Sequence, residues 1–212
     1  MDCCQCEGIE IETGKWAEQD LRLYREGKPV KTTSMLTGAL LDRGVRGLTL
    51  LDIGGGIGAI QLELLDAGAA HATSVEASSA YLSGAREQAS QAGLGDKITA
   101  VHGDFVGLAS QVAPADVVTL DRVICCYHDM RSLVSLSAAK ARRLYGLVYP
   151  RDRWPVRLLL FFENLMLRLR KSPFRAFVHP TEAVDRLVRE AGLRPIFQKN
   201  TFAWQVIVYE RP

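Results

Sequence analysis

From position 48 to 149 the chain alternates short apolar or β-branched runs with longer helix-compatible stretches. Residues 48–53, 72–76, 98–102, 117–120 and 145–149 read as strands suited to a buried pleated surface. Between them, 57–67, 79–92 and 130–143 read as helices. Strands that alternate with helices predict right-handed crossovers and a mostly parallel sheet covered on both faces. The ending differs. Residues 195–200 and 204–209 are two β-rich runs joined by a short polar connection, which predicts an antiparallel hairpin added to the sheet. Ahead of the sheet, 16–26 and 33–43 read as two helices. They are placed to cover its carboxyl edge, where open α/β folds bind ligands.

This pattern divides the 212 residues into a helical cap over 1–47 and an α/β core over 48–212, with 151–180 expected as a substrate-cap insertion. Composition adds limits. The chain is 48% hydrophobic and 24% charged, ordinary for a globular enzyme, and a net charge of +2 gives no argument for nucleic acid. No apolar stretch reaches the length of a membrane span, and no secretory signal is recognised. Five cysteines without the spacing of a disulfide framework suggest a reducing, cytoplasmic compartment. Cys3, Cys4 and Cys6 form a cluster with soft-metal chemistry, but no second C-x-x-C accompanies it, and no metal is assigned.

Candidate chemistry begins where the first strand ends, at Asp52-Ile53-Gly54-Gly55-Gly56-Ile57-Gly58. Glycines at a strand-to-helix turn let backbone approach a ligand closely, and the next helix offers its amide-rich N-terminus. Gly54-x-Gly56-x-x-Ala59 also satisfies a dinucleotide-binding pattern. Asp52 separates the alternatives: a carboxylate repels a pyrophosphate but suits the α-ammonium of S-adenosylmethionine. Glu76, followed by Ala77, ends the second strand and is placed for the two hydroxyls of an adenosine ribose. Asp104 and Phe105, in His102-Gly103-Asp104-Phe105, suit an adenine amino group and ring face. Asp121-Arg122-Val123 begins where the fourth strand ends, at the point where methyl donor and acceptor meet.

These four segments, in this order and spacing over 48–149, resemble the successive motifs of class I S-adenosylmethionine-dependent methyltransferases. The resemblance implies a Rossmann-like sheet and S-adenosyl-L-methionine as cofactor. It also implies that Asp52, Gly54, Gly55 and Gly56 cradle the methionyl part, with Asp121 and Arg122 beside the sulfonium. Farther along, Arg175-Ala176-Phe177-Val178-His179 follows a long apolar stretch and is similar to a segment near the end of magnesium-protoporphyrin O-methyltransferases. That similarity favours oxygen as the methylated atom of a small, lipophilic or acidic acceptor.

A neutral acceptor needs a base, and His128 just past the fourth strand is the imidazole best placed for it, with Tyr127 beside it to orient the acceptor. Cys125 and Cys126 read as small buried hydrophobes. The span 156–169 is apolar and flanked by Arg151, Arg153, Arg157, Arg168, Arg170, Lys171 and Arg175. It reads as a lid over a lipophilic substrate, or as a surface, 156–175, that touches anionic membrane. The competing functions are an NAD-dependent oxidoreductase and a non-catalytic adenosyl-binding or membrane-associated module.

Overall fold

The computed structural model describes residues 4–212. Two helices, α1 (Cys4–Arg25) and α2 (Lys31–Leu41), precede an alternating core. The core runs β1 (Thr49–Ile53), α3 (Ala59–Asp66), β2 (His71–Glu76), α4 (Ser79–Gln91), β3 (Ile98–His102), α5 (Phe105–Leu108), β4 (Ala115–Asp121), α6 (Met130–Lys140) and β5 (Ala141–Pro150). Then come α7 (Trp154–Leu169), α8 (Thr181–Glu190), β6 (Arg194–Asn200) and β7 (Trp204–Glu210).

The seven strands form one sheet in the order β3-β2-β1-β4-β5-β7-β6. The first five run parallel, and β7 is antiparallel to both β5 and β6. Winding reverses between β1 and β4, which lie side by side with Asp52 opposite Thr119. Such a switch opens a crevice at the carboxyl ends of both strands. The sheet's central strands are apolar on both faces: Leu51, Val118 and Tyr145 feed one core, and Leu50, Val117 and Leu144 the other. A third small cluster joins Leu167, Phe174 and Ala176 to Ile9 and Trp16 of α1. Gly8 permits that joint, because a Cβ there would lie 2.8 Å from the backbone nitrogen of Phe174.

The expected class I α/β sheet with its terminal hairpin is observed, with local differences, the longest being α1, which begins at Cys4 rather than at 16. Residues 141–143 belong to β5 rather than to the preceding helix. Arg143 donates to the carbonyls of Arg43 (2.7 Å) and Gly44 (3.2 Å), so distant partners override a residue type that helices tolerate. Residues 181–190, which the reading of the sequence leaves without an element, form α8, with Val184 and Val188 buried toward the α6 side of the sheet. No helix among the described residues is long and apolar enough to cross a membrane. Cys3 and the side chains of Cys4 and Cys6 lie outside the described residues, as does any role for that cluster.

Candidate active site

The crevice holds a cavity of about 400 Å³, within the usual range for small-molecule sites. Its floor is the glycine turn. Gly54 sits at φ +64°, in the left-handed region, and a Cβ there would meet Val123 Cγ2 at 2.4 Å. Gly55 leaves no more room, since its Cβ would fall 2.3 Å from Gln61 Nε2 and 2.6 Å from Asp52 Oδ2. The turn is therefore pressed between the next strand's loop above and a buried polar group below, which only glycine allows.

That buried group corrects one expectation. Asp52 is fully buried and does not line the cavity. Its Oδ1 accepts from Thr119 Oγ1 (2.7 Å) and its Oδ2 from Gln61 Nε2 (3.1 Å), while Gly55 covers it. Direct contact with a ligand's ammonium is closed off by these partners. Asp52 instead supports the turn from beneath. Burial pushes its carboxyl up to about 6; the hydrogen bonds from Thr119 and Gln61 oppose the shift, and the charges of Asp121 and Glu76 add to it.

The acids that do reach the cavity are Asp20, Glu76, Asp104, Asp121 and Glu163. Glu76 Oε2 accepts from the Gly56 amide (3.0 Å) and Oε1 from the Ser78 amide (2.9 Å). Each oxygen keeps a lone pair for a ligand, and burial raises the carboxyl's pKa against those bonds. Beside it, Ala77 forms part of the wall. Asp104 caps α5 through Val106 N (3.2 Å), and Phe105 next to it is buried on the cavity wall.

At the opposite end, Asp121 Oδ2 accepts from Thr33 Oγ1 of α2 at 2.5 Å. Asp121 Oδ1 and Arg122 Nε lie 3.5 Å apart, both buried and both without a hydrogen-bond partner. Burial raises the Asp121 carboxyl's pKa, with the Arg122 charge opposing. Arg122 itself adopts φ +61°, uncommon for a non-glycine residue, and its amide donates to Val148 O (2.9 Å). Sheet pairing thus continues one residue past β4 and fixes the strained position. Desolvation works against the guanidinium's charge, but the neighbouring Asp121, Asp20 and Tyr81 outweigh it. Tyr81 in turn donates to Asp20 Oδ2 (2.8 Å), which joins α4 to α1 across this end.

His128 is the second correction, whereas Tyr127 beside it does line the cavity. The Tyr127 hydroxyl donates to Asp104 Oδ2 (2.8 Å), which engages it at the Asp104 end rather than the acceptor end. His128 is exposed and absent from the cavity wall, its ring stacked on Tyr127 at 5.6 Å between centroids. Among the described lining residues there is no histidine. A 3-10 turn over Ile124–Cys126 explains this: it turns Cys125 and Cys126 inward and carries the chain out toward solvent by residue 128. Both thiols donate to Arg122 O, and the contact with Cys126 and burial raise the Cys125 thiol's pKa, so it stays neutral.

The remaining wall comes from the cap. Trp16 of α1 meets Phe174 edge-on at 5.4 Å, closing the cavity between the N-terminal helix and the segment after α7. That segment is fastened to the 3-10 turn by Phe177 N to Cys125 O (2.7 Å) and by a hydrogen bond between His179 Nε2 and Tyr127 O (2.9 Å). Burial lowers the pKa of His179 and favours the neutral ring. On the other side α1 is latched by a Thr13–Ser78 hydroxyl pair (2.6 Å) and by Glu10, which accepts from the Ser79 amide and hydroxyl. Asp20, Gln61, Tyr81 and Phe174 carry no motif in the sequence. Their partners lie nine to more than sixty positions away, so only the fold reveals them.

The sheet order, the switch-point cavity and the glycine turn define a class I methyltransferase fold. Residues 50–144 match the family model described as a methyltransferase domain. The match spans the glycine turn, Glu76, Asp104 and Asp121, and over these residues the chain is similar to a methyltransferase domain. Solved structures agree on the fold. Magnesium protoporphyrin IX methyltransferase from Synechocystis with bound S-adenosylhomocysteine superposes with a TM-score of 0.70 at 19% identity, over 92% of this chain and 86% of that one. An O-methyltransferase family protein from Burkholderia thailandensis gives 0.72 at 16%, over 92% and 58%. A mitomycin 7-O-methyltransferase gives 0.65 at 21%, over 98% and 60%. A comparison with the curated proteins finds no match.

The residues present fit the cofactor. Paired hydroxyls have Glu76, and an amino-acid zwitterion has the acid and the guanidinium of Asp121 and Arg122 on the cavity wall.

Proposed function

We propose that the enzyme methylates a small lipophilic acceptor, preferably at an oxygen that is already acidic. The observation that carries this is the make-up of the acceptor end of the cavity. Trp16, Pro150, Leu160, Phe174 and Trp204 dominate it, and no imidazole stands on the wall among the described residues. An apolar chamber favours a lipophilic partner, and a carboxylate oxygen needs no base to take a methyl group.

S-adenosylmethionine supplies an electrophilic methyl on a sulfonium, and the chain's own residues align it. In this reading Arg122 donates to the cofactor's α-carboxylate and Asp121 accepts from its α-ammonium. The Gly54–Gly56 backbone lies along the methionyl chain. Glu76 accepts from the ribose hydroxyls, Ala77 lines the wall beside it, and Asp104 with Phe105 holds the adenine. Tyr127 steadies Asp104. The two N-terminal helices and residues 151–180 act as two halves of a cap that excludes water and sets the acceptor in line. Oxygen as the acceptor atom also has the support of the O-methyltransferases among the structural neighbours.

Calorimetric titration with S-adenosylhomocysteine and with NADH tests the cofactor, and transfer of labelled methyl to matched apolar carboxylic acids, phenols and amines tests the acceptor. Carboxylic acids should be methylated fastest. NADH binding without a response to S-adenosylhomocysteine would sink the proposal, and amines methylated faster than acids would overturn its acceptor half.

A further inference from the structure

Helix α7 has two apolar faces, and the fold uses one. Val156 and Leu167 are buried, Leu160 reaches the cavity, and Asn164 exchanges two hydrogen bonds with the backbone of Ala176 (2.7 and 2.9 Å). On the other side Trp154, Leu158, Phe161, Phe162, Leu165 and Leu169 are 76, 47, 61, 54, 41 and 70% exposed. At the α-helical spacing these positions share one arc that contains no charged side chain. Arg157 and Arg168 border it.

Charge indicates the occupant. Between positions 151 and 175 there are seven arginines and lysines against Asp152 and Glu163, which gives 7 − 2 = +5. The whole chain carries +2, so the rest carries 2 − 5 = −3. Asp152 is taken up by Arg157 at 2.6 Å, whereas Arg153, Arg168, Arg170 and Lys171 are exposed with no acidic partner among the described residues. A second copy docked on this face would set +5 against +5. An anionic bilayer offers opposite charge around an apolar interior. At 16 residues, about 24 Å, the helix suits the plane of the membrane rather than a span.

A second exposed ring stands near the same end. Phe202, 71% exposed, tips the β6–β7 turn. Arg151 holds that turn beside the start of α7, donating from its backbone to Ala203 O (2.8 Å) and from its side chain to Thr201 O (3.0 Å).

We infer that the outward face of α7, with Phe202 at its edge, seats the enzyme on an anionic lipid bilayer. Leu160 and Glu163 of the same helix line the acceptor cavity, so a lipid-dissolved acceptor reaches the site without crossing water. That last step rests on the lipophilic-acceptor reading; the docking does not.

The test uses the full chain with vesicles of phosphatidylcholine alone or mixed with phosphatidylglycerol, without cofactor or acceptor. Sedimentation with the mixed vesicles, weakened by salt, is expected, together with a blue shift of tryptophan emission that Trp154→Phe removes. Both Phe161→Ser with Leu165→Ser and the charge reversal Arg168→Glu, Arg170→Glu, Lys171→Glu should lower partitioning by ~tenfold or more. Because those side chains are exposed, melting temperature and S-adenosylhomocysteine affinity should not move; a lost cofactor affinity in the unmodified protein would count against the methyltransferase reading alone. Absence of vesicle binding, binding indifferent to phosphatidylglycerol, or a dimer abolished by Phe161→Ser would each overturn the inference.

Discussion

The two ends of the cavity are built in different ways. At the cofactor end, polar groups sit on or just past strand ends, and backbone fixes them: Glu76 accepts two amides, and Arg122 is held by sheet pairing. At the acceptor end, side chains on helices and a strap meet through apolar contact, as Trp16 and Phe174 do. The first end is rigid because its geometry is the sheet's geometry. The second owes its shape to packing between segments more than 150 positions apart, so it can change shape without disturbing the sheet. Substitutions at the two ends should therefore separate cofactor binding from acceptor binding.

The largest effect is expected from Gly54→Ala. The added methyl lands 2.4 Å from Val123 at a left-handed φ, a strain of about 1–2 kcal/mol plus about 1–3 kcal/mol of overpacking. Melting temperature and S-adenosylhomocysteine affinity should fall together, the latter by more than ~tenfold. Glu76→Gln should act mainly on binding. Losing a charged acceptor costs about 1.5–3 kcal/mol, or ~10–100-fold in the dissociation constant by calorimetry, and melting temperature should fall as well, because the new amide nitrogen would face the N–H of Gly56 or Ser78.

The pH dependence comes next. Asp52 has a folded pKa near 6, above its usual value of 3.8, so the folded state binds the proton more readily than the unfolded one. Its contribution to stability therefore falls as pH rises from about 4 to 6, by on the order of 2–3 kcal/mol. Asp52→Asn should flatten that slope and raise the melting temperature at neutral pH, as thermal scans across the window would show. A slope unchanged by the substitution would mean that Asp52 is charged throughout.

Smaller effects lie at the acceptor end. Trp16→Leu removes an aromatic contact of about 0.5–1.5 kcal/mol and should raise the acceptor KM several-fold, with cofactor affinity within ~twofold. His128→Ala should do least, leaving turnover within ~twofold, because the ring is outside the cavity. A large loss of kcat there would restore it as a base and overturn the acidic-acceptor argument.

The contrast between the two ends also explains what could be read from the chain. Strand and loop positions with local signals, such as Glu76, Asp104 and the three glycines, fall where their sequence context suggests. Asp52 was legible as a residue of the turn but not in its orientation. Side chains alternate along a strand, and only the register with β4 and the packing of α3 show that Asp52 faces Thr119 and Gln61. His128 misled for a related reason: a single 3-10 turn leaves Tyr127 facing inward and His128 facing solvent. Asp20 and Phe174 had no local signal, since their partners come from other parts of the fold. For α8 the signal was present in Val184, Leu187 and Val188 at helical spacing, next to a proline that suits a helix start.

The wall's formal charges bear on turnover. Four acids, Asp20, Glu76, Asp104 and Asp121, surround the proposed cofactor end, against two cations on the wall, Arg122 and Lys28. Methyl transfer discharges the sulfonium, so the ligand leaves the reaction one positive charge poorer than it entered. An acidic chamber grips the reactant harder than the spent sulfide, and rising ionic strength should narrow that preference. The same field that recruits the donor thus helps to empty the site for the next cycle.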